Sequence, residues 1–377
     1  MFNAIYTGFT IALASALFVF GVFFRSLCGN IESPVFRTAL RMMTFTYCFF
    51  GVINLLELWS RFSMPATDDV MLFRITTLIV AVSQAFLFTY TLILLIHDTY
   101  VTRQRVVREL VPIVTLSAAF VGVWFIVPAE RLNIPVWLFT LFYLYLLIKY
   151  TRLFINTYRD CLRKMDNYFS GQEAQNLRWV HFSFFAALSI GVLALTASMF
   201  PAIHIGIACS VVYLLFYVYF AIRFINYGFV FKKMEAALAD GSDILPEQPG
   251  EETGVPQTSA ANSLEINLQK WLDRQQFLQS GITIEDVAIE IGTNRRYLSE
   301  HINSTKGKTF RQWINELRIA EAKILLRQHP EMTMSEIASM AGFVNKSHFG
   351  RIFLAFTQST PQNWRTASDI FDTKGKT

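Results

Sequence analysis

Polar and apolar positions divide the chain into two unlike parts. Up to about residue 230 the apolar residues form long, nearly unbroken stretches; beyond it they recur at helical spacing among charged residues. Seven stretches, at about 4–24, 42–59, 75–96, 110–128, 134–150, 180–200 and 202–222, approach the roughly 20 residues a helix needs to cross a bilayer core. The fifth is short by strict measure, Ile134 to Ile148, and little more than Pro201 separates the last two, which predicts a tight hairpin. Trp59, Trp124, Trp137 and Trp179 fall near stretch ends, where amphipathic rings favour the interface. Nothing basic precedes Arg25, so the first stretch reads as a retained helix and not as a signal peptide.

Basic residues between the stretches set the orientation. With an outside N-terminus, the inside segments hold Arg25, Arg37, Arg41, Arg103, Arg105, Arg108, Lys149, Arg152, Arg159, Arg163, Lys164, Arg178, Arg223, Lys232 and Lys233. The outside segments hold only Arg61, Arg74 and Arg131, a bias of fifteen to three. This predicts a multi-pass protein of the inner (cytoplasmic) membrane with its C-terminal part in the cytoplasm. From 235 to 262 the chain turns to Pro, Gly, Ser and acidic residues, the composition of a flexible linker. The expected domains are therefore a membrane domain at 1–234, the linker at 235–262, a polar helical domain at 263–368 and a tail at 369–377.

Composition agrees: 53% of residues are hydrophobic, 36 are Phe, and 16% are charged, against about 25% in soluble domains. The net charge of +5 is compatible with anionic partners without demanding one. Cys28, Cys48, Cys161 and Cys209 are scattered and read as small apolar residues in or beside membrane helices, with no metal or disulfide framework.

The polar domain contains an internal repeat. Thr283-Ile-Glu-Asp-Val-Ala-Ile-Glu-Ile-Gly292 is echoed by Thr333-Met-Ser-Glu-Ile-Ala-Ser-Met-Ala-Gly342. Each opens on a Thr with an acid three positions on, Asp286 or Glu336; the Thr–Glu pair is a full capping-box pattern and the Thr–Asp pair a weaker one. Each then carries a small Ala, Ala288 or Ala338, and a Gly four positions later, free to take the positive backbone angle of a tight turn. A second helix should follow each Gly, from Asn294 to about Asn303 and from Asn345 to about Phe356. Leu298 with Ile302, and Phe349 with Phe353, should face the core. This is helix-turn-helix logic, twice. A helix from about Phe310 to Arg327, capped by Thr309 with Gln312, lies between and spans roughly 27 Å. Such a spacer could hold two recognition helices about one DNA turn apart. The predicted fold class is all-α: a seven-helix transmembrane bundle plus a C-terminal helical domain with two helix-turn-helix units.

The stretch from about Leu264 to Arg365 resembles the DNA-binding domain of AraC/XylS-type transcription regulators. The most specific residues are Ile337, Ala338, Ala341, Gly342, Phe343, Ser347, His348, Phe349, Arg351 and Phe353, closed by Thr360, Pro361, Trp364 and Arg365. Gly292, Leu298, Lys306, Gly307, Phe310, Leu317, Arg318, Ala322, Leu325 and Leu326 fit as well. The resemblance implies a bacterial regulator with a seven-helix, two-unit domain that inserts recognition helices into adjacent major grooves. By position, it implies that the first offers Arg295, Arg296, Ser299, Glu300 and Asn303 to DNA, and the second Asn345, Lys346, Ser347, His348 and Arg351. Arg and Lys suit guanine edges or phosphates, and Asn and Ser can donate and accept at bases. Two departures stand out: Glu300 where many members carry a basic residue, and Ser359 where Gly is common. Residues 262–377 carry about +3, so attraction to DNA should be local to the recognition faces.

Within the membrane part, Asn54 and Glu57 lie one turn apart and form the candidate sensor, with Gln84 mid-way along the third stretch. His97, Asp98, His181 and His204 read as interfacial residues, and Tyr143, Tyr145, Tyr213, Tyr217 and Tyr219 either as the lining of a pocket or, as aromatic packing favours, as rings set against lipid or neighbouring helices. The chain shows no Gly-rich phosphate loop, HExxH or GxSxG, so the reading excludes an enzyme and calls for no cofactor. The expectation is one-component signalling with promoter double-stranded DNA, the lipid bilayer, RNA polymerase, a second copy in a homodimer and a signal ligand of unknown identity as partners. The rival is a transporter or receptor-like membrane protein with a regulatory helical interaction tail.

Overall fold

The computed structural model describes residues 2–63, 66–128, 131–171, 173–200, 203–238 and 257–366. Helices dominate throughout, and among the described residues the one β feature is an isolated antiparallel bridge between Phe169 and Thr283. The chain divides into two compact units, Met1–Cys161 with Leu177–Lys233, and Leu162–Asn176 with Met234–Thr377.

Seven long apolar helices supply the first unit, with the ends of the fifth, from Leu162, and of the seventh, from Met234, falling in the second: α1 (Phe2–Leu27), α2 (Pro34–Ser63), α3 (Ala66–Ile96), α4 (Arg103–Ile126), α5 (Asn133–Tyr168), α6 (Arg178–Met199) and α7 (Ile203–Leu238). Each is long and apolar enough to cross a membrane. Their packing is uneven: 72% of the most apolar window of α3 is buried, against 11% for α4, so α3 is central and α4 peripheral. Val111, Val114, Phe125 and Ile126 of α4 are exposed, a surface that water would penalise and lipid would not.

Aromatic rings fill the interior. Phe24 meets Tyr47 edge-on at 5.0 Å, Tyr47 meets Tyr217 at 5.6 Å, and Phe154 stacks on Phe184 at 3.8 Å. Two of the buried tyrosines donate across helices: Tyr47 to the Tyr217 carbonyl at 2.8 Å, and Tyr217 to Gln84 Oε1 at 3.1 Å.

Five of these helices outrun their apolar stretches by seven residues or more; the third begins at Ala66 rather than 75 and the fourth at Arg103 rather than 110. The second begins at Pro34 rather than 42, the fifth continues past 150 to Tyr168, and the seventh past 222 to Leu238. Arg, Lys and Leu are good helix formers, so helical structure persists where hydropathy stops. Residues 235–238 thus lie in α7, and α8 opens at Gln257, which leaves helix at both ends of the expected linker. Residues 239–256, the hairpin at Pro201 and the tail at 369–377 lie outside the described residues.

The second unit contains α8 (Gln257–Asp273), a 3-10 turn at Gln276–Leu278, α9 (Ile284–Glu290), α10 (Arg295–Lys306), α11 (Phe310–Gln328), α12 (Met334–Met340) and α13 (Lys346–Thr357), with residues 361–366 also helical. Apolar positions of α11, Ile319, Ala322, Leu325 and Leu326, pack with Ile337, Ala338, Ala341, Phe343, Phe349 and Phe353 in one core. Earlier along α11, Trp313 lies 6.0 Å from Trp271 of α8, and Ile314 is fully buried. The same helix therefore serves both helix-turn-helix units.

Candidate nucleic-acid interface

The internal repeat reappears as repeated backbone hydrogen bonds. Thr293 N–H reaches the Ala288 carbonyl at 2.8 Å, and fifty residues on, Phe343 N–H reaches Ala338 at 2.9 Å. Ile291 donates to Val287 at 3.0 Å and Ala341 to Ile337 at 2.9 Å. Gly292 and Gly342 hold φ of +75° and +80°. The two glycines differ in surroundings: a Cβ at Gly292 meets nothing within 4 Å, whereas at Gly342 it would lie 2.4 Å from the Leu278 carbonyl oxygen. Gly342 is thus needed twice, for its backbone angle and for close approach.

Caps fix where each helix starts. Thr283 with Asp286, Thr309 with Gln312 and Thr333 with Glu336 all close full capping boxes, so the Asp version is as complete as the Glu one. Asn294 Oδ1 accepts from Tyr297 N–H and Asn345 Oδ1 from His348 N–H, both at 2.8 Å, to open α10 and α13. The Thr333 hydroxyl and backbone N–H both donate to the Glu336 carboxylate and hold it below the ordinary carboxylate range.

The expected contact residues fall mainly on exposed surface. Arg296, Glu300 and Asn303 of α10 are exposed, with Arg295 and Ser299 half-buried; Asn345, Lys346, Ser347 and Arg351 are exposed at α13. Glu300 accepts from Arg296 Nε at 3.0 Å, one turn earlier on the same face. Its acid thus screens the neighbouring guanidinium. His348 departs from the expectation: it is fully buried, its ring 5.4 Å from Phe343. The apolar stripe of α13 is wide enough to take in His348 together with Phe349 and Phe353, so this side chain packs inward and is corrected to a core position. Burial and the nearby Arg311, Arg351 and Arg318 lower its pKa to about 4, so it stays neutral.

Arg318 is a residue whose role the sequence did not reveal. It is buried on α11, donates from Nε to the Phe277 carbonyl at 2.8 Å and from Nη2 to the Gln279 carbonyl at 2.6 Å, and lies 5.9 Å from the Phe343 ring centroid. It joins the turn before the first helix-turn-helix unit to the turn of the second. An Arg in the otherwise apolar row Ile314, Arg318, Ala322 was the available signal.

The candidate sensor residues share one cavity of about 700 Å³, open side included, in the first unit. Asn54, Glu57, Gln84, Tyr6, Tyr213 and Tyr217 are among its lining residues. Tyr6 donates to Glu57 at 2.6 Å, and Asn54 Nδ2 donates back to the Phe50 carbonyl of its own helix at 2.8 Å. Among the described residues no group of three or more His, Cys, Asp or Glu could hold a metal ion.

A family profile described as a helix-turn-helix domain matches residues 275–367. The probable transcription factor PqrA of Proteus vulgaris is 30% identical over 113 residues, which are 30% of this chain and 92% of that protein. The HTH-type transcriptional activator RhaR of Salmonella dublin is 30% identical over 95 residues, 25% of this chain and 33% of RhaR. This chain therefore spans about a third of the RhaR relative. Among solved structures, the C-terminal domain of AraT, a response regulator from Geobacillus stearothermophilus, is 26% identical over 28% of this chain and 84% of its own, with a TM-score of 0.26. A regulator with an AraC-type DNA-binding domain from Chromobacterium violaceum is 21% identical over 29% and 94%, with a TM-score of 0.26. The chain belongs to the AraC-type helix-turn-helix transcription regulators.

Proposed function

We propose that this protein is a membrane-anchored, sequence-specific transcription regulator whose cytoplasmic DNA-binding domain is controlled by a sensory membrane domain. The observation that carries the reading is the presence, on one chain, of seven membrane-length apolar helices and two capped helix-turn-helix units with outward-facing basic residues. Arg295, Arg296, Ser299 and Asn303 of the first unit, and Asn345, Lys346, Ser347 and Arg351 of the second, meet promoter DNA in successive major grooves. Glu300 lowers the charge of the first face through Arg296, so the second unit supplies more of the affinity. The cavity beside Asn54 and Glu57 receives the signal, and pairing of two chains raises affinity through effective concentration.

The test is binding of duplex DNA by the full chain in lipid nanodiscs across about 50–200 mM salt. Affinity should fall steeply with salt, and Lys346→Ala and Arg351→Ala should each weaken it. Affinity indifferent to salt and to both substitutions would remove the phosphate-contact mechanism.

A further inference from the structure

Residues Leu162–Asn176, which begin on the last turns of α5, fold with the C-terminal unit. They meet the first helix-turn-helix unit at its entrance. Ser170 donates to the Ile282 carbonyl through both Oγ, at 2.7 Å, and backbone N–H, at 3.3 Å. Phe169 forms an antiparallel bridge with Thr283, the residue that caps α9. The Tyr168 hydroxyl donates to the Glu285 carboxylate, and Arg311, at the start of α11, pairs with Asp166 at 2.8 Å. Tyr168, Phe169 and Ser170 are all buried. The guanidinium of Arg295, the first residue of recognition helix α10, lies 5.2 Å from the centroid of the Tyr168 ring.

We propose that Asp166–Ser170 is a built-in clamp that binds the first helix-turn-helix unit and competes with DNA for Arg295. The inference rests on the reading that α10 approaches DNA. A phosphate or base edge that recruits Arg295 must draw it from the aromatic ring, and the ring is itself held by Glu285 and flanked by the Asp166–Arg311 pair. Clamp and duplex are then alternative ligands of one surface, and the observed DNA affinity is scaled by the fraction of molecules with the clamp open. Two hydrogen bonds to charged groups, a sheet-like bridge and two buried rings are enough to hold the closed state without making it irreversible. Because α5 runs without a break from Asn133 to Tyr168, rotation or sliding of that helix reaches the clamp directly, independently of residues 239–256. Control need not pass through the linker.

The experiment uses the full chain in nanodiscs and a duplex selected for binding to it. Residues paired across an antiparallel bridge have Cα atoms about 4.5–5.5 Å apart, within the range a disulfide spans. Phe169→Cys/Thr283→Cys should therefore lock the clamp on oxidation. Locked protein should bind DNA at least about tenfold more weakly than the same protein after reduction, with the unsubstituted chain indifferent to the oxidant. In the opposite direction, Tyr168→Phe/Ser170→Ala removes two holding hydrogen bonds without changing the net charge, and should raise affinity roughly tenfold. Equal affinity for locked and reduced forms, with the double variant unchanged, overturns the clamp while leaving the DNA reading intact. Failure of every form to bind duplex overturns both.

Discussion

The imidazole of His348 has no exposed surface, and Arg311, Arg351 and Arg318 all lie near enough for their charges to act on it. Burial first, and then those three charges, lower its pKa to about 4 from the usual 6.5. In the unfolded chain the ring takes a proton as pH falls through 6.5; in the folded domain it refuses one until about 4. The unfolded state therefore binds more protons across that window, and the stability of the second unit decreases as pH falls from 6.5 towards 4. At pH 5 the loss relative to pH 7.5 is about 2 kcal/mol. Amide exchange in α13, corrected for intrinsic rates, should show that loss, and His348→Leu should flatten it. A wild-type profile as flat as the variant's would mean that the ring is protonated in place. At this scale the sequence misled for a simple reason: His348 stands between outward Ser347 and inward Phe349, and helical spacing alone does not say on which side of the boundary such a position falls.

Elements were the most legible level. Capping boxes, turn glycines and staple pairs are all set within a few residues of one another, so a sequence displays them directly, and α9 to α13 begin within a residue or so of where those signals place them. What ties the elements together is not local. Arg318 reaches carbonyls 41 and 39 residues away, and the Tyr168, Ser170 and Asp166 partners lie 112 to 145 positions off. No periodicity records such pairings. The Arg318 fork offers the sharper test, because it satisfies two carbonyls at once in a buried setting. Arg318→Leu fits the apolar row but strands both acceptors, and should cost about 2–4 kcal/mol. Arg318→Lys keeps the charge and loses the planar fork, so it should recover only part of that. Chemical unfolding of the two variants would measure the difference. If Leu were tolerated as well as Arg, the contact between α11 and the 276–278 turn would be decorative.

For the molecule as a whole, hydropathy located all seven long helices but understated their length, since it registers where apolar residues stop and helix need not stop there. The 36-residue α5 is about 54 Å long, well beyond a bilayer core of about 30 Å. Its surplus lies at the end that carries Arg152, Arg159, Arg163 and Lys164 and leads into the DNA-binding unit. Those four charges argue for the cytoplasmic side, as does the bias of fifteen to three across the segments between stretches. Only a duplex-accessible domain can regulate transcription, so orientation is the point on which charge and function must agree. An exposed position on the DNA-binding unit tests it: Ser304→Cys should resist a membrane-impermeant maleimide in intact cells and react once the membrane is opened. Among the native cysteines, Cys28, Cys161 and Cys209 are buried and Cys48 is half-buried, so the unsubstituted chain supplies a low background. Labelling of Ser304→Cys in intact cells would put the second unit on the far side from the chromosome, against the charge bias and against any contact of the repeat with DNA.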